Sequence, residues 1–367
     1  MRAEIIEVLT KTPGLKGRDI ARILRKDKSL NVDKKAVNSF LHHDESDVFV
    51  KRNDDWFLVD GIAVIQFDKS GWITTDDFEY LLSEGGNIWS ESIDTVKFKF
   101  SDCSLLLGSI ARLLALVNQL ACSGKQVSLD FTKCKQSFSY LCRVGLFESI
   151  NDSVAVFPDV QDHSCHYGKN TKVMEFVSIP SKTEQTDLPT KLKSSFIELA
   201  GEQHSNAAFG FIAEFINNII EHSQTPTPGV AALQVYRKSN NRTNVQTVFS
   251  DSGKGIVGTL RPVLAERYPE LHDKYPENKN DSNIHLLKEV LQFGGVSGAN
   301  DVNYSGRGLG LKLSAKQAAK FDATICVRQE GFELTLKYVD GKLKDHSYCI
   351  ELTKILGTHI CFDFYLD

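Results

Sequence analysis

Four short patterns follow one another along the C-terminal part of this chain, and few folds accommodate all four in that order. The first is a helix: residues 209–223 read FGFIAEFINNIIEHS, with Phe211, Ile212, Phe215, Ile216, Ile219 and Ile220 on one broad apolar face. Glu214 and Asn218 lie four residues apart and so share a face beside it. An amide oxygen ligates a hard cation and a carboxylate orients a water, the pairing that a magnesium triphosphate site needs. The second pattern is an alternating strand, Val245 to Ser250, that runs into Asp251-Ser252-Gly253-Lys254-Gly255. A carboxylate leaving a strand there can accept a hydrogen bond from an adenine amino group, and glycines let the backbone approach the base. Third, Tyr304-Ser305-Gly306-Arg307-Gly308-Leu309-Gly310-Leu311 opens a helix expected over 312–321, presenting free amides and the positive dipole end to phosphate. Last, Gly357-Thr358 begins a terminal alternating strand.

Together these patterns resemble the GHKL ATPases, the family of gyrase, MutL, heat-shock chaperones, histidine kinases and anti-sigma serine kinases. The resemblance covers residues 190–367 and implies a Bergerat-type α/β sandwich that binds ATP with Mg2+. Carried over by residue, it makes Asn218 the magnesium holder, Asp251 and Thr358 the adenine readers, and Glu214 the general base for hydrolysis. Gly253 and Gly255 form its first glycine box; Gly306, Gly308 and Gly310, with Arg307 and Leu309 between them, form the phosphate box. Arg307 stands where many members carry a small residue, and either adds a cation at the phosphates or faces solvent. Lys254 and Lys312 are secondary phosphate candidates. The stretch 256–305 corresponds to the family's ATP lid, with Leu286 to Phe293 as a short lid helix and 294–298 as its hinge.

The front of the chain reads differently. Residues 1–60 carry three apolar stripes at helical spacing, then Val48 to Arg52 and Trp56 to Val59 as a hairpin, the element order of a winged helix-turn-helix domain. Between Lys11 and Lys35, nine basic residues (Lys11, Lys16, Arg18, Arg22, Arg25, Lys26, Lys28, Lys34, Lys35) against three acids (Asp19, Asp27, Asp33) suit phosphate contacts with DNA. Asp44, Glu45, Asp47, Asp54 and Asp55 around the wing oppose them, so a protein-interaction module fits as well. Residues 61–180 alternate strand and helix, implying a small α/β unit. Their stretch Val127 to Phe147 resembles a degenerate STAS domain, a type that meets protein partners and is phosphorylated on a serine after the strand. Ser137 or Ser139 would be that serine, but Lys135-Gln136-Ser137-Phe138 replaces the family's small polar pair, and a structural role is expected. His163-Ser164-Cys165-His166 reads as a polar loop rather than a metal cluster.

Composition fits an α+β multidomain protein in three parts, with 41% hydrophobic and 25% charged residues. Lys+Arg 43 against Asp+Glu 47 excludes a global polycation. Eight cysteines without a CxxC pair point to free thiols in a reducing cytoplasm. The most apolar run, Leu105 to Ala121, is interrupted by Ser109, Arg112, Asn118 and Gln119 and is too short for a bilayer, so no membrane is expected. The resemblance then implies an ATP-binding regulatory protein of the bacterial signalling kind, with slow Mg-dependent hydrolysis coupled to a DNA or protein partner, and a homodimer is one option. The alternatives are an anti-sigma-like serine kinase and an ATP-responsive transcription regulator. A histidine kinase is disfavoured, because no long helix pair precedes His204.

Overall fold

A computed structural model of the chain describes residues 1–28, 30–44, 48–59, 61–160, 173–179, 188–200, 202, 212–213, 215–220, 225, 227–237, 243–277, 281–294 and 322–366. The protein is mixed α/β, and no described helix is long and apolar enough to cross a membrane. It divides into two compact units: Met1–Leu106 with Leu120–Ser139 and Asn151–Val160, and Leu107–Gln119 with Tyr140–Ile150 and Gln161–Asp367.

The first unit starts with helices α1 (Arg2–Lys11), α2 (Gly17–Asp27) and α3 (Lys34–His43), then the antiparallel hairpin β1 (Phe49–Arg52) and β2 (Asp55–Leu58). The apolar stripes converge as their spacing predicts: Ile5, Leu9, Ile20, Leu24, Val37, Leu41 and Trp56 form one core. Asp33 caps α3, its carboxylate accepting from the Ala36 amide at 2.7 Å. Of the basic set, Lys11 and Lys28 both pair with Glu7 at 2.6 Å, and Arg18 and Arg22 pair with Asp19. Lys16, Lys26, Lys34 and Lys35 are exposed.

The same unit continues with β3 (Gly61–Phe67), β4 (Gly71–Ile73), α4 (Thr75–Ser83), β5 (Ile93–Phe100), β6 (Cys103–Leu105), β7 (Gln126–Asp130) and β8 (Ala155–Phe157). The order β3-β5-β7-β8 is parallel throughout, so each neighbour is reached by a crossover. Phe67, Phe100 and Phe131 stack in turn across these strands, with centroids 4.7 and 4.2 Å apart. Ser137 is buried and donates to the Cys103 carbonyl, whereas Ser139 is exposed. A buried, bonded hydroxyl is a structural group. A cavity of about 630 Å³ in this unit, lined by Ile6, Leu9, Val48, Phe57 and Ile62 among others, contains none of the expected nucleotide residues.

The second unit includes most of α5 (Leu107–Cys122) and the end of α6 (Lys135–Arg143), followed by β9 (Val173–Ile179), α7 (Leu188–Ala200) and the helical residues 212–213 and 215–220, here α8. Next come β10 (Gly229–Arg237), β11 (Thr243–Ser250), α9 (Gly255–Arg267), α10 (Pro269–Lys274), α11 (Ser282–Phe293), β12 (Asp322–Gln329), β13 (Phe332–Val339), β14 (Lys342–Cys349) and β15 (Thr358–Leu366). The strands form one antiparallel sheet in the order β14-β13-β12-β15-β11-β10-β9. One face carries Leu233, Val245, Phe249, Ile325, Val327, Leu336, Phe362 and Phe364, and buries against Phe196 of α7, Phe215 and Ile219 of α8, Leu260 and Leu264 of α9, and Leu287 and Val290 of α11. Side chains alternate along a strand, so the other face carries Gln246, Ser250, Cys326, Arg328, Glu333, His359, Cys361 and Asp363, all but Asp363 buried.

That polar face is where α5 is anchored. Its first amides, at Leu107 and Gly108, donate to the Tyr236 hydroxyl at 3.1 Å and the Gln246 side chain at 3.2 Å, satisfying groups a helix start leaves open. Arg112 donates to Glu333 and, at 3.1 Å, to the Cys326 sulfur.

The expected ATP lid requires correction. Gly255–Arg267, Pro269–Lys274 and Ser282–Phe293 are helices, and Val257, Leu260, Leu264, Ile284, Leu286, Leu287, Val290 and Leu291 lie in the main core. Leu286 to Phe293 belongs to the longer helix α11, held by that buried face, and is no lid element. Gly294 ends it at φ 64°, a conformation that favours glycine. The rest of the hinge, 295–298, lies outside the described residues, as does the 163–166 loop.

Candidate functional site

Pairing of β11 with β15 brings two predicted residues together. Ser250 faces His359 in the register, so Asp251 leaves one strand beside Thr358 at the start of the other. The Asp251 amide donates to the Thr358 carbonyl at 3.0 Å. The Asp251 carboxylate accepts from the Gly253 amide at 2.7 Å and from the main chain and hydroxyl of Thr358. Both residues are 8% exposed. Burial pushes the Asp251 carboxyl up to about 6, against the pull of those hydrogen bonds.

The glycines allow this close approach. Gly357 has φ 96°, and a Cβ there would stand 1.9 Å from the Asp251 carbonyl oxygen. Gly255 has φ 72°, and a Cβ there would sit 3.0 Å from the Gly357 carbonyl. No other residue type fits both constraints at 357.

Two residues that the sequence reading did not single out complete the floor. Gln329, at the end of β12, accepts from the Val257 amide at 3.1 Å and donates to the Thr358 hydroxyl at 3.2 Å. Gln119 of α5 donates to the Ser252 hydroxyl and to the Leu356 carbonyl, both at 2.9 Å, and accepts from the Leu356 amide at 2.8 Å. Neither carries a local motif; the only signal for Gln119 was its place in an apolar helix.

His359 is next to Thr358 but has a different character. Its Nε2 faces the Leu356 carbonyl at 3.0 Å and therefore carries the hydrogen, so Nδ1 accepts from the Ser250 hydroxyl at 2.7 Å. Burial, then the charges of Arg328 and Arg112, push it down to about 3. It stays neutral and serves as a strut.

The helix carrying Asn218 packs at the same end of the sheet. Phe215 stacks on Phe249 of β11 with centroids 5.6 Å apart, and contacts Phe362 of β15 at 5.2 Å. A Cβ on Gly229 would meet both Ile219 of α8 and the Ser250 carbonyl, so the residue after Asn218 and the residue before Asp251 border one point. Asn218 is half-buried, and its Nδ2 is buried with no hydrogen-bond partner among the described residues. Lys254 is exposed where α9 begins. Glu214, Gly306, Arg307, Gly308, Leu309, Gly310 and Lys312 lie outside the described residues.

No model of a known protein family matches the chain, and no curated protein matches it in sequence.

Proposed function

We propose that the C-terminal unit is a GHKL-type ATP site and that the protein is an ATP-binding regulator that hydrolyses its nucleotide slowly. The observation that carries this reading is the buried Asp251–Thr358 pair, set by a β11–β15 pairing between residues more than 100 positions apart and admitted by Gly357. An aspartate and a threonine at adjacent strand ends, under glycines, offer an acceptor and a hydroxyl to an aminopurine edge. The buried Asn218 amide on the neighbouring helix, unpartnered among the described residues, fits a polar ligand, and its oxygen is of the type that Mg2+ takes. Bound magnesium would supply charge neutralisation across the triphosphate. On this reading Asp251 orients the base, Thr358 fixes the carboxylate, Asn218 holds the cation, Glu214 accepts the proton of the attacking water, and residues 306–310 bind phosphate. The lysines exposed on residues 1–60 give the protein a surface for DNA or an acidic protein.

Calorimetry of the full chain with Mg-ATP tests the site, and absence of binding heat refutes it. Asn218→Ala is expected to weaken Mg-ATP binding by about tenfold and to remove the difference made by chelating the metal. Glu214→Ala is expected to bind ATP as the parent does while turnover drops by about a hundredfold. Turnover at the parent rate would remove Glu214 from the mechanism. Incubation with γ-labelled ATP separates the kinase alternative: label on protein serine identifies a kinase, free phosphate alone an ATPase.

A further inference from the structure

One side chain from outside the four nucleotide patterns grips both halves of the base-reading pair. Gln119 is 7% exposed, and its amide is hydrogen-bonded at both ends. Its nitrogen serves Ser252, which directly follows Asp251, and the Leu356 carbonyl, two residues before Thr358. Its oxygen takes the Leu356 amide, so Leu356 is held by donor and acceptor together, as a strand neighbour would hold it. Between Leu356 and Thr358 stands Gly357, in close contact with the Asp251 carbonyl and Ser252 Cα. Any slide of the Leu356 segment therefore moves Gly357 against Asp251. The far end of the same helix is fixed at Leu107, Gly108 and Arg112 by Tyr236, Gln246 and Glu333.

We propose that Gln119 is a positioning residue for adenine recognition: from behind the site it sets the spacing of Asp251 and Thr358, and with it the discrimination of a 6-amino purine from a 6-oxo purine. The proposal rests on the ATP reading above. Gln119 touches no nucleotide. It acts through Ser252 and Leu356, so its removal affects the base edge and spares the phosphates.

Inosine triphosphate, which carries an oxygen where adenine carries the amino group, separates those effects. Calorimetry is run on the full chain with Mg-ATP and Mg-ITP, for the parent and for Gln119→Leu, Gln119→Glu and Ser252→Ala. The parent is expected to favour ATP by at least about tenfold. In Gln119→Leu, ATP affinity drops about tenfold while ITP affinity stays within about twofold, so the preference collapses. Gln119→Glu keeps the acceptor for the Leu356 amide but sets a carboxylate against the Leu356 carbonyl, and recovers part of the preference. Ser252→Ala removes a single bond and lowers the preference severalfold; it carries the test if Gln119→Leu does not fold. A parent-like ATP-to-ITP ratio in the variants, or equal loss for both nucleotides, overturns the positioning role and leaves the ATP site standing. A parent that binds neither nucleotide overturns the ATP reading, and the role of Gln119 with it.

Discussion

Arg112→Ala is expected to destabilise the protein by about 3–5 kcal/mol, because it leaves the Glu333 carboxylate buried without its cation. Arg112 is 2% exposed and Glu333 6%, so water screens neither. The guanidinium also donates to Cys326, which sits on the same sheet face as Glu333. Exposed ion pairs contribute at most about 1 kcal/mol; desolvation makes this one different, since removal of one partner strands the other in a medium that cannot hydrate it. Replacing both partners, as Arg112→Met with Glu333→Leu, is expected to restore most of the loss, because an apolar pair of similar volume carries no desolvation penalty. Denaturant midpoints of the parent, the single and the double variant decide this. A single variant within about 1 kcal/mol of the parent would mean that water reaches the pair and that α5 does not close over the sheet as described.

The same helix shows what was legible in the sequence and what was not. Its apolar spacing identified a helix, and Ser109, Arg112, Asn118 and Gln119 were read as interruptions that make a membrane span implausible. All four are buried. Arg112 binds Glu333 and Gln119 binds Ser252 and Leu356, partners more than 100 residues further on that no local window contains. For the same reason most strands of the antiparallel sheet were missed. A strand covered on both faces loses its polar-apolar alternation: Asp322–Gln329 is buried at its last five positions, including Arg328 and Gln329. The stretch 256–305 reads as a lid by its length and its Pro, Asp, Asn, Glu and Lys content, which outweigh Val257, Leu260, Leu264, Ile284, Leu287 and Leu291 at helical spacing within it. Asp251 and Thr358 could be picked out because each stands close to glycine at a strand end. Gln329 has no such marker; only the folded sheet places it against Thr358.

Asp251→Asn is expected to remove ATP binding and to stabilise the empty protein in one step. Burial raises the carboxyl from its usual 3.8 to about 6, so folding favours the neutral form. That contribution is fully present below pH 3.8 and is lost as pH rises through 6, a loss of roughly 3 kcal/mol at neutral pH. An amide is neutral throughout and keeps the acceptor oxygen for Gly253, but leaves its nitrogen without a fitting partner, which offsets part of the gain. A net gain of about 1 kcal/mol raises Tm by about 2–4 °C near neutral pH. At about pH 4, where the folded parent is also protonated, the difference shrinks or reverses. Binding moves the other way. With the amide oxygen turned to the Gly253 N–H, the nitrogen meets the adenine amino group donor to donor, and affinity drops at least about a hundredfold. The carboxylate is a stronger acceptor for that amino group than the protonated acid, so parent affinity for ATP rises as pH increases through about 6. Thermal unfolding at about pH 4 and about pH 7.5, with ATP titrations across the same range, measures both effects. If the Asp251→Asn variant is less stable than the parent near neutral pH, or still binds ATP, then Asp251 is an ordinary strand-end carboxylate held in place for the fold alone.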